Sequence, residues 1–395
     1  MTEQRPSDTA PDISALPVSE TKASWRAWWG IAIFAMISLL VFLDRQILIL
    51  LAQPIKLDLG LSDLQLGTLQ GLPLAFFGVF AGYPIGWLAD RFDRRLVLAG
   101  CLALWGIGVV ACGFAPGFWA LFIASGIIGA GEAGLAPIVY SLIPEIVSKS
   151  QRQLANSIYT ILQQFSYGIG SAVVALILGG VAAAQMGLPS GLAGMADWRL
   201  AFLVASLPVP VMIALLFTLR LRRKDMPEIE RSSHEIETKT GVATHLRGHW
   251  RTMFSFYLGI GFAGFGFAAV LNWVPAILTR QYGMEPMTIG AVTGTVTIAA
   301  TIGGFIIGTV LLRWLRPRFG IRVPIIALWT AVFSAAVTSA LLFAATAPWQ
   351  IFALQGIQYA FIIGAFLVYP TAIQDISPAP VRGRLISLLV IVRMV

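Results

Sequence analysis

Apolar runs of about 20 residues recur along nearly the whole of this sequence, far more than one soluble core can absorb. They fall at about 27–52, 64–89, 96–114, 118–143, 154–182, 200–219, 250–276, 288–312, 323–345 and 349–371. Each is long enough to cross the hydrocarbon core of a bilayer as a helix. Backbone polar groups in lipid must be bonded within the protein, which leaves helices and closed barrels. The runs are continuous and lack the alternation of barrel strands. The chain is therefore expected to be an all-α polytopic membrane protein that lives in the lipid bilayer. An eleventh run opens near 384 as LISLLVIVRMV, and the sequence stops about 11 residues into a segment that needs roughly 20. This reads as a truncated or incomplete sequence, in which Arg393 has no interpretation.

Charge then sets the orientation. Only 12% of the 395 residues are charged and 57% are hydrophobic, whereas soluble domains are about 25% charged. The net charge of +8 is spread over alternate loops and not gathered into a basic patch with interleaved aromatics. No nucleic-acid partner is expected. Of the 27 Lys and Arg, 22 lie in residues 1–26 and in 90–95, 149–152, 220–251, 313–322 and 382–384. Lys56, Arg199 and Arg280 fall on the opposite side, while Arg45 and Arg393 lie inside apolar runs. Basic loops stay in the cytoplasm, which predicts a cytoplasmic N-terminus in a cell inner or plasma membrane. Residues 1–24 are polar and Pro/Ser-rich, without the basic start and apolar core of a signal peptide. They are expected to form a disordered cytoplasmic tail.

Enzymatic chemistry finds little footing. Cys101 and Cys112 share one apolar run and read as small buried hydrophobes. His234, His245 and His249 all sit in one polar central segment, so no histidine relay is expected within the membrane. A metal cluster and a GxxxxGK(S/T) phosphate loop are both missing from the pattern. We expect no enzyme activity, no metal and no cofactor.

The charges that do enter the apolar runs are therefore informative. Asp44 and Arg45 are adjacent in ISLLVFLDRQILILLA, although a charge at the bilayer centre costs at least about 2.5 kcal/mol. Such residues face a protein interior or a water-filled cavity and often mark an ion or substrate path. Glu132, in ASGIIGAGEAGLAPIVYSLIPE, lies about 14 residues from the outer end of span four, roughly 21 Å at the helical rise. Asp44 lies about 17 residues from the inner end of span one, roughly 25 Å in. Both carboxylates arrive near mid-depth, with Arg45 as the expected counter-ion of Glu132 and Asp44 beside them to exchange a proton. Burial disfavours a charged carboxyl and the guanidinium favours it, a balance that changes as a cavity opens and closes. A permanent ion pair that only locks two helices together is the competing reading. Gly126, Gly129 and Gly131 are expected to let span four pack closely or bend.

Spans two and three are joined by GYPIGWLADRFDRRLVLAG, residues 82–100. In it Gly86, Asp90, Arg91, Arg94 and Arg95 hold the spacing G-x-x-x-D-R-x-x-R-R. Asp90 at a helix end can latch cationic groups of a neighbouring helix, and Gly82 and Gly86 are expected to allow close approach. Such a latch holds one access state and breaks in the other. The motif resembles the loop signature of the major facilitator superfamily. That family often has Gly at the position of Asp93, so the tight turn is expected to differ here. The corresponding loop of the second half, GTVLLRWLRPRFGIR at 308–322, is a weak echo without an acidic partner.

The one long polar insertion, 220–249, falls after six spans. It divides the chain as the major facilitator fold is divided, into two six-helix bundles of inverted three-helix repeats around a midplane cavity. Twelve spans are then expected, of which about 10.5 are present. The expected organisation is a tail at 1–24, an N-terminal bundle at 25–219, a cytoplasmic linker at 220–249 and a C-terminal bundle at 250–395.

FLDRQ, the Gly86–Arg95 loop, GAGEAGLAP and DWRLAF at 197–202 together resemble the spinster-like branch of that superfamily, over most of 28–220. Its members include exporters of sphingosine 1-phosphate and transporters of lysophospholipids. The resemblance implies proton coupling and substrate handling by Asp44, Arg45 and Glu132, with a proton as the coupling ion. One departure concerns Ser125, near a position where the family commonly has Arg, so that arginine's role has no counterpart here. Organic-anion symporters of the superfamily share a similar first-span Asp-Arg and remain the runner-up.

Other polar positions are Gln163, Gln164 and Tyr167 in span five, Asn272 in span seven, and Gln355, Gln358 and Tyr359 in span ten. Each is a possible cavity group, yet buried amides also serve as glue between helices. A second half without ionisable groups deep in its spans suits a substrate with an apolar portion, while Arg45 meets an anionic head group. The expected activity is secondary transport of an amphiphile of lysolipid or sphingoid type, by alternating access in a monomer. A small organic anion is the alternative substrate. A drug exporter is less favoured because span five lacks the Gly-Pro signature of many antiporters, and a non-transporting receptor on the same fold ranks with it.

Overall fold

The computed structural model describes residues 25–147, 151–184, 194–219, 250–319 and 323–376. The tail at 1–24, the linker at 220–249 with its three histidines, and the eleventh run from 384 with Arg393 lie outside the described residues. Within them the chain is almost wholly helical and has no strand. Ten helical stretches are long and apolar enough to cross a membrane. The chain is an all-α polytopic protein, as the apolar runs require.

The helices are α1 (Trp25–Leu50), the short α2 (Ala52–Leu59), α3 (Asp63–Arg91), α4 (Arg94–Gly113), α5 (Phe118–Ile146) and α6 (Arg152–Ala184). They are followed by α7 (Asp197–Ser206), α8 (Pro208–Phe217), α9 (Trp250–Tyr282) and α10 (Pro286–Val310). Last come α11 (Arg316–Phe319), α12 (Val323–Leu342) and α13 (Pro348–Ile376). Span six, a single run in the sequence, is two helices. Pro208 has no N–H to continue the ladder, so α7 stops and α8 starts with proline in its first turn.

Local chemistry sets the other boundaries. Gly60 closes α2 with φ +63°, the left-handed conformation that glycine adopts without steric cost. Two residues later Ser62 opens α3: its hydroxyl accepts from Gln65 N and Gln65 Oε1 accepts from Ser62 N, a reciprocal cap. Between α3 and α4, Asp93 is the N-cap of α4 and accepts from Arg95 N. The turn needs no positive φ, because Phe92 and Asp93 lie at φ −111° and −60°. A capping aspartate thus shapes the turn without a glycine's conformational freedom.

Helices α1–α8 pack as one group and α9–α13 as another. One apolar core, including Leu43, Trp105, Leu178 and Trp198 together with Val274, Ile289 and Phe352, runs through both groups at one end of the molecule. At the other end the cores are separate. Ile33, Leu98, Val139 and Tyr159 belong to the first group alone; Phe256, Leu328 and Ile362 belong to the second alone. The two groups therefore meet at the end bearing the 60–62 and 283–285 turns and part towards the end bearing the 92–93 turn.

The meeting surface is built from α6 and α10. A methyl added at Gly168 would sit 2.9 Å from the Gly294 carbonyl oxygen, and one at Gly294 would sit 2.8 Å from that of Gly168. Glycine at both positions lets the backbones touch.

Candidate functional site

Asp44 and Arg45 are consecutive on α1, so their side chains leave the helix about 100° apart. The structure separates them accordingly. Arg45 reaches α5 and forms an ion pair with Glu132: its Nε donates to Oε1 at 3.4 Å and its Nη2 donates to Oε2. The Arg45 side chain is 37% exposed and that of Glu132 8%, so the pair lies at the edge of the first group. On the partly exposed side Arg45 lies 5.9 Å from the Phe42 ring and within electrostatic reach of Tyr167.

Asp44 points the other way, into the first group. It is 0% exposed, and neither carboxylate oxygen has a hydrogen-bond partner. Trp105, the Cys112 thiol and Glu132 are its neighbours. Helix α5 closes over this spot because Gly131 has no side chain; a methyl there would lie 2.6 Å from Trp105 N. Gly126 and Gly129 do the same on the opposite face, against Phe77 and Leu74 of α3. The three glycines clamp α5 between its two neighbours. Ser125, also 0% exposed, lies 4.0 Å from Cys112 Sγ.

The polar residues of span five split. Gln163 bridges Tyr140 and Tyr159, accepting at 3.3 Å and donating at 3.1 Å, while Ser38 donates to Tyr159 at 2.9 Å. Tyr167 packs between Phe42 and Phe267, with ring centroids 4.3 and 5.5 Å away, and so joins α1 to α9. Phe267 in turn packs on Tyr359, 4.6 Å between centroids. Gln355 donates to Tyr359 at 3.3 Å and Gln358 donates to the Gly266 carbonyl at 3.0 Å. Gln164 and Asn272 are partly exposed. An aromatic layer of Phe42, Tyr167, Phe267 and Tyr359 therefore spans the two groups beside Arg45.

The 82–100 loop is partly described. Gly82 and Gly86 face open space rather than a neighbouring helix; α3 approaches α5 at Leu74, Phe77 and Gly78 instead. Arg91 stacks 4.1 Å over Trp87, Arg94 donates to the Ser141 carbonyl at 3.4 Å, and Arg95 bonds Asp93 and the Leu219 carbonyl. The Asp90 side chain lies outside the described residues.

Sequence reasoning missed three features. Gln46, next to Arg45, accepts from Ser171 at 2.8 Å and ties α1 to α6. Asp58 accepts from Trp198 Nε1 at 3.1 Å and Arg199 at 3.2 Å, and Arg199 also donates to the Ala115 carbonyl at 2.7 Å. The DWRLAF segment is thus a staple at the closed end. There too, Asp63 of α3 binds Lys56 at 2.8 Å and Arg280 of α9, an ion pair across the two groups. All three basic residues of that side, Lys56, Arg199 and Arg280, are paired with Asp58 or Asp63.

Among the described residues no group of three or more His, Cys, Asp or Glu is placed to hold a metal ion. A cleft of about 570 Å³ between α10 and α13 is lined only by apolar residues, Val296, Trp349, Phe352 and Ile357 among them.

The family model of the Major Facilitator Superfamily matches residues 34–395. An MFS-type efflux pump of Mycolicibacterium smegmatis is 27% identical over 78% of this chain and 66% of its own length. Human protein spinster homolog 1 is 28% identical over 64% of this chain and 46% of its own. The sphingosine-1-phosphate transporter SPNS2 of Xenopus tropicalis is 26% identical over 71% of this chain and 54% of its own. The chain thus spans between about half and two thirds of the length of these relatives. In fold, it is similar to the crystal structure of a bacterial homolog of the human lysosomal transporter spinster in an inward-facing, unoccupied conformation. The TM-score is 0.75 at 23% identity, covering 94% of this chain and 80% of that one.

Proposed function

The chain belongs to the major facilitator superfamily, with spinster-like relatives, and from that premise we propose that it is a proton-coupled secondary transporter of an amphiphilic, lipid-like substrate. The observation that carries the reading is the placement of Asp44, Arg45 and Glu132. One ion pair borders the space between the two groups, and a buried carboxyl without a partner stands directly behind it. Proton uptake at Asp44 changes the charge balance of the Arg45–Glu132 pair, and a substrate anion competes with Glu132 for Arg45. Protonation and substrate binding are thereby coupled through one guanidinium.

The aromatic layer beside Arg45 and the lack, among the described residues, of charged groups around Tyr359 suit a substrate whose head is anionic and whose remainder is apolar. With the N-terminus in the cytoplasm, the separated cores lie on the cytoplasmic side and the closed end faces outward. The efflux-pump relative favours a second reading, export of an amphiphilic drug-like molecule from the same site. An uptake screen in proteoliposomes separates these. Lysophosphatidylcholine, sphingosine 1-phosphate, a small organic anion and an amphiphilic cationic dye are each offered with and without a pH gradient. The proposal expects gradient-dependent movement of a lysolipid or sphingoid phosphate; gradient-dependent movement of the small anion or the dye alone contradicts it.

Alternating access requires the closed end to open, and the Asp63–Arg280 pair is then a latch across it. Asp63→Asn is expected to raise the labelling rate of a cysteine placed at Ile289, which is 0% exposed in the core shared by the two groups at that end, several-fold. The two native cysteines are buried and do not compete. An unchanged rate would show that the pair is only a surface contact, as many exposed ion pairs are.

A further inference from the structure

Beside Asp44 stands a second buried group without a partner, the indole of Trp105. Its ring is 0% exposed, and Nε1 lies near the Asp44 carboxyl without completing a well-aligned hydrogen bond. A donor and an acceptor that both lack partners, placed side by side in an apolar core, each carry a desolvation cost that one bond between them would remove. We propose that Trp105 is a positioning residue for proton exchange, its indole N–H holding the deprotonated Asp44 carboxylate strongly and the protonated acid, through its carbonyl oxygen alone, more weakly. This rests on the reading of Asp44 as the coupling group.

Indole has a donor only; an ionised carboxyl has acceptors only; a protonated carboxyl gains an O–H that indole has no lone pair to receive. The bond is charge-assisted, about twice as strong as a neutral one, in one protonation state only. A serine or water in the same place would serve both states and discriminate less. Helix α5 also comes close to the base of this residue: a methyl at Gly131 would lie 2.6 Å from Trp105 N and 2.8 Å from its Cβ, which leaves Trp105 little room to shift.

The other groups that act on Asp44 are few. Arg45 follows it on α1, Glu132 faces it from α5, and the Cys112 thiol faces it from α4. Tyr167 of α6 acts through Arg45. The Arg45 backbone N–H also acts on the carboxyl, but it is fixed in the helix, so among these groups the indole is the neutral side-chain donor.

The test is read without a substrate, by infrared titration of the protonated-carboxyl stretching band in the purified protein. Asp44→Asn should delete one titrating band. If every titrating band survives that substitution, the reading of Asp44 as the proton-exchanging group fails. With the band assigned, Trp105→Phe should move its midpoint to higher pH by about one unit, a tenfold change in proton affinity. An unmoved or lowered midpoint overturns the role of Trp105 and leaves that of Asp44 standing. If Trp105→Phe does not fold, benzothienylalanine at position 105 keeps the shape and removes the N–H, and the same two outcomes decide.

Discussion

Asp44→Asn is expected to abolish the pH dependence of transport while leaving the protein folded. Asparagine has the shape of the neutral acid and cannot ionise, so the substitution fixes one state of the proposed proton cycle. Initial rates in proteoliposomes should be flat across the pH range in which the wild type responds. Accumulation driven by a pH gradient should fall to the equilibrated level, while substrate exchange across the membrane continues. Stability should change little, because asparagine keeps a carbonyl oxygen within reach of the Trp105 N–H and buries no charge. Burying a neutral group in place of an ionisable one is favourable on its own. A retained pH profile would move the coupling role to another carboxyl, with Glu132 first in line.

The second large effect is expected at the ion pair. Arg45→Ala leaves the Glu132 carboxylate 8% exposed and without its cation. Breaking a fully buried pair costs about 3–5 kcal/mol; the 37% exposure of Arg45 brings this one lower through solvent screening. Glu132→Gln removes the charge that holds the guanidinium and should impair transport as well. If the two act as one unit, the double variant loses less than the sum of the single losses. The interaction expected for a contacting pair is about 1–2 kcal/mol, or roughly 5–30-fold in rate. Strictly additive losses would contradict a direct functional pair, whatever the geometry.

The ten spans were legible because hydrocarbon imposes length and composition on every segment that crosses it, and the helical boundaries follow those runs within a few residues. The meeting of Arg45 and Glu132 was legible for a related reason: a constant rise per residue converts sequence position into depth. Rotation about the helix axis is not given by depth. Asp44 and Arg45 share a depth yet diverge by about 100°, and only the packing of α4 and α5 shows that Asp44 faces Trp105 rather than the space between the groups. The contacts of Asp58 with Trp198 and Arg199 join residues about 140 positions apart, which no local pattern encodes. Gly82 and Gly86 illustrate the opposite error. Small residues permit close approach but do not cause it, and here the neighbouring helix approaches α3 elsewhere. Asp93 shows a turn solved by a different residue: a cap hydrogen bond replaces a glycine's conformational freedom.

Coupling, as proposed, links proton movement through Asp44 to substrate movement past Arg45. Its most direct test traps a pH-sensitive dye inside proteoliposomes and adds the best compound of the uptake screen without any pH gradient. Wild-type protein should shift the internal pH as the compound crosses, and Asp44→Asn protein should carry the compound with no shift. Substrate flux through the wild type that leaves the internal pH unchanged would contradict the account.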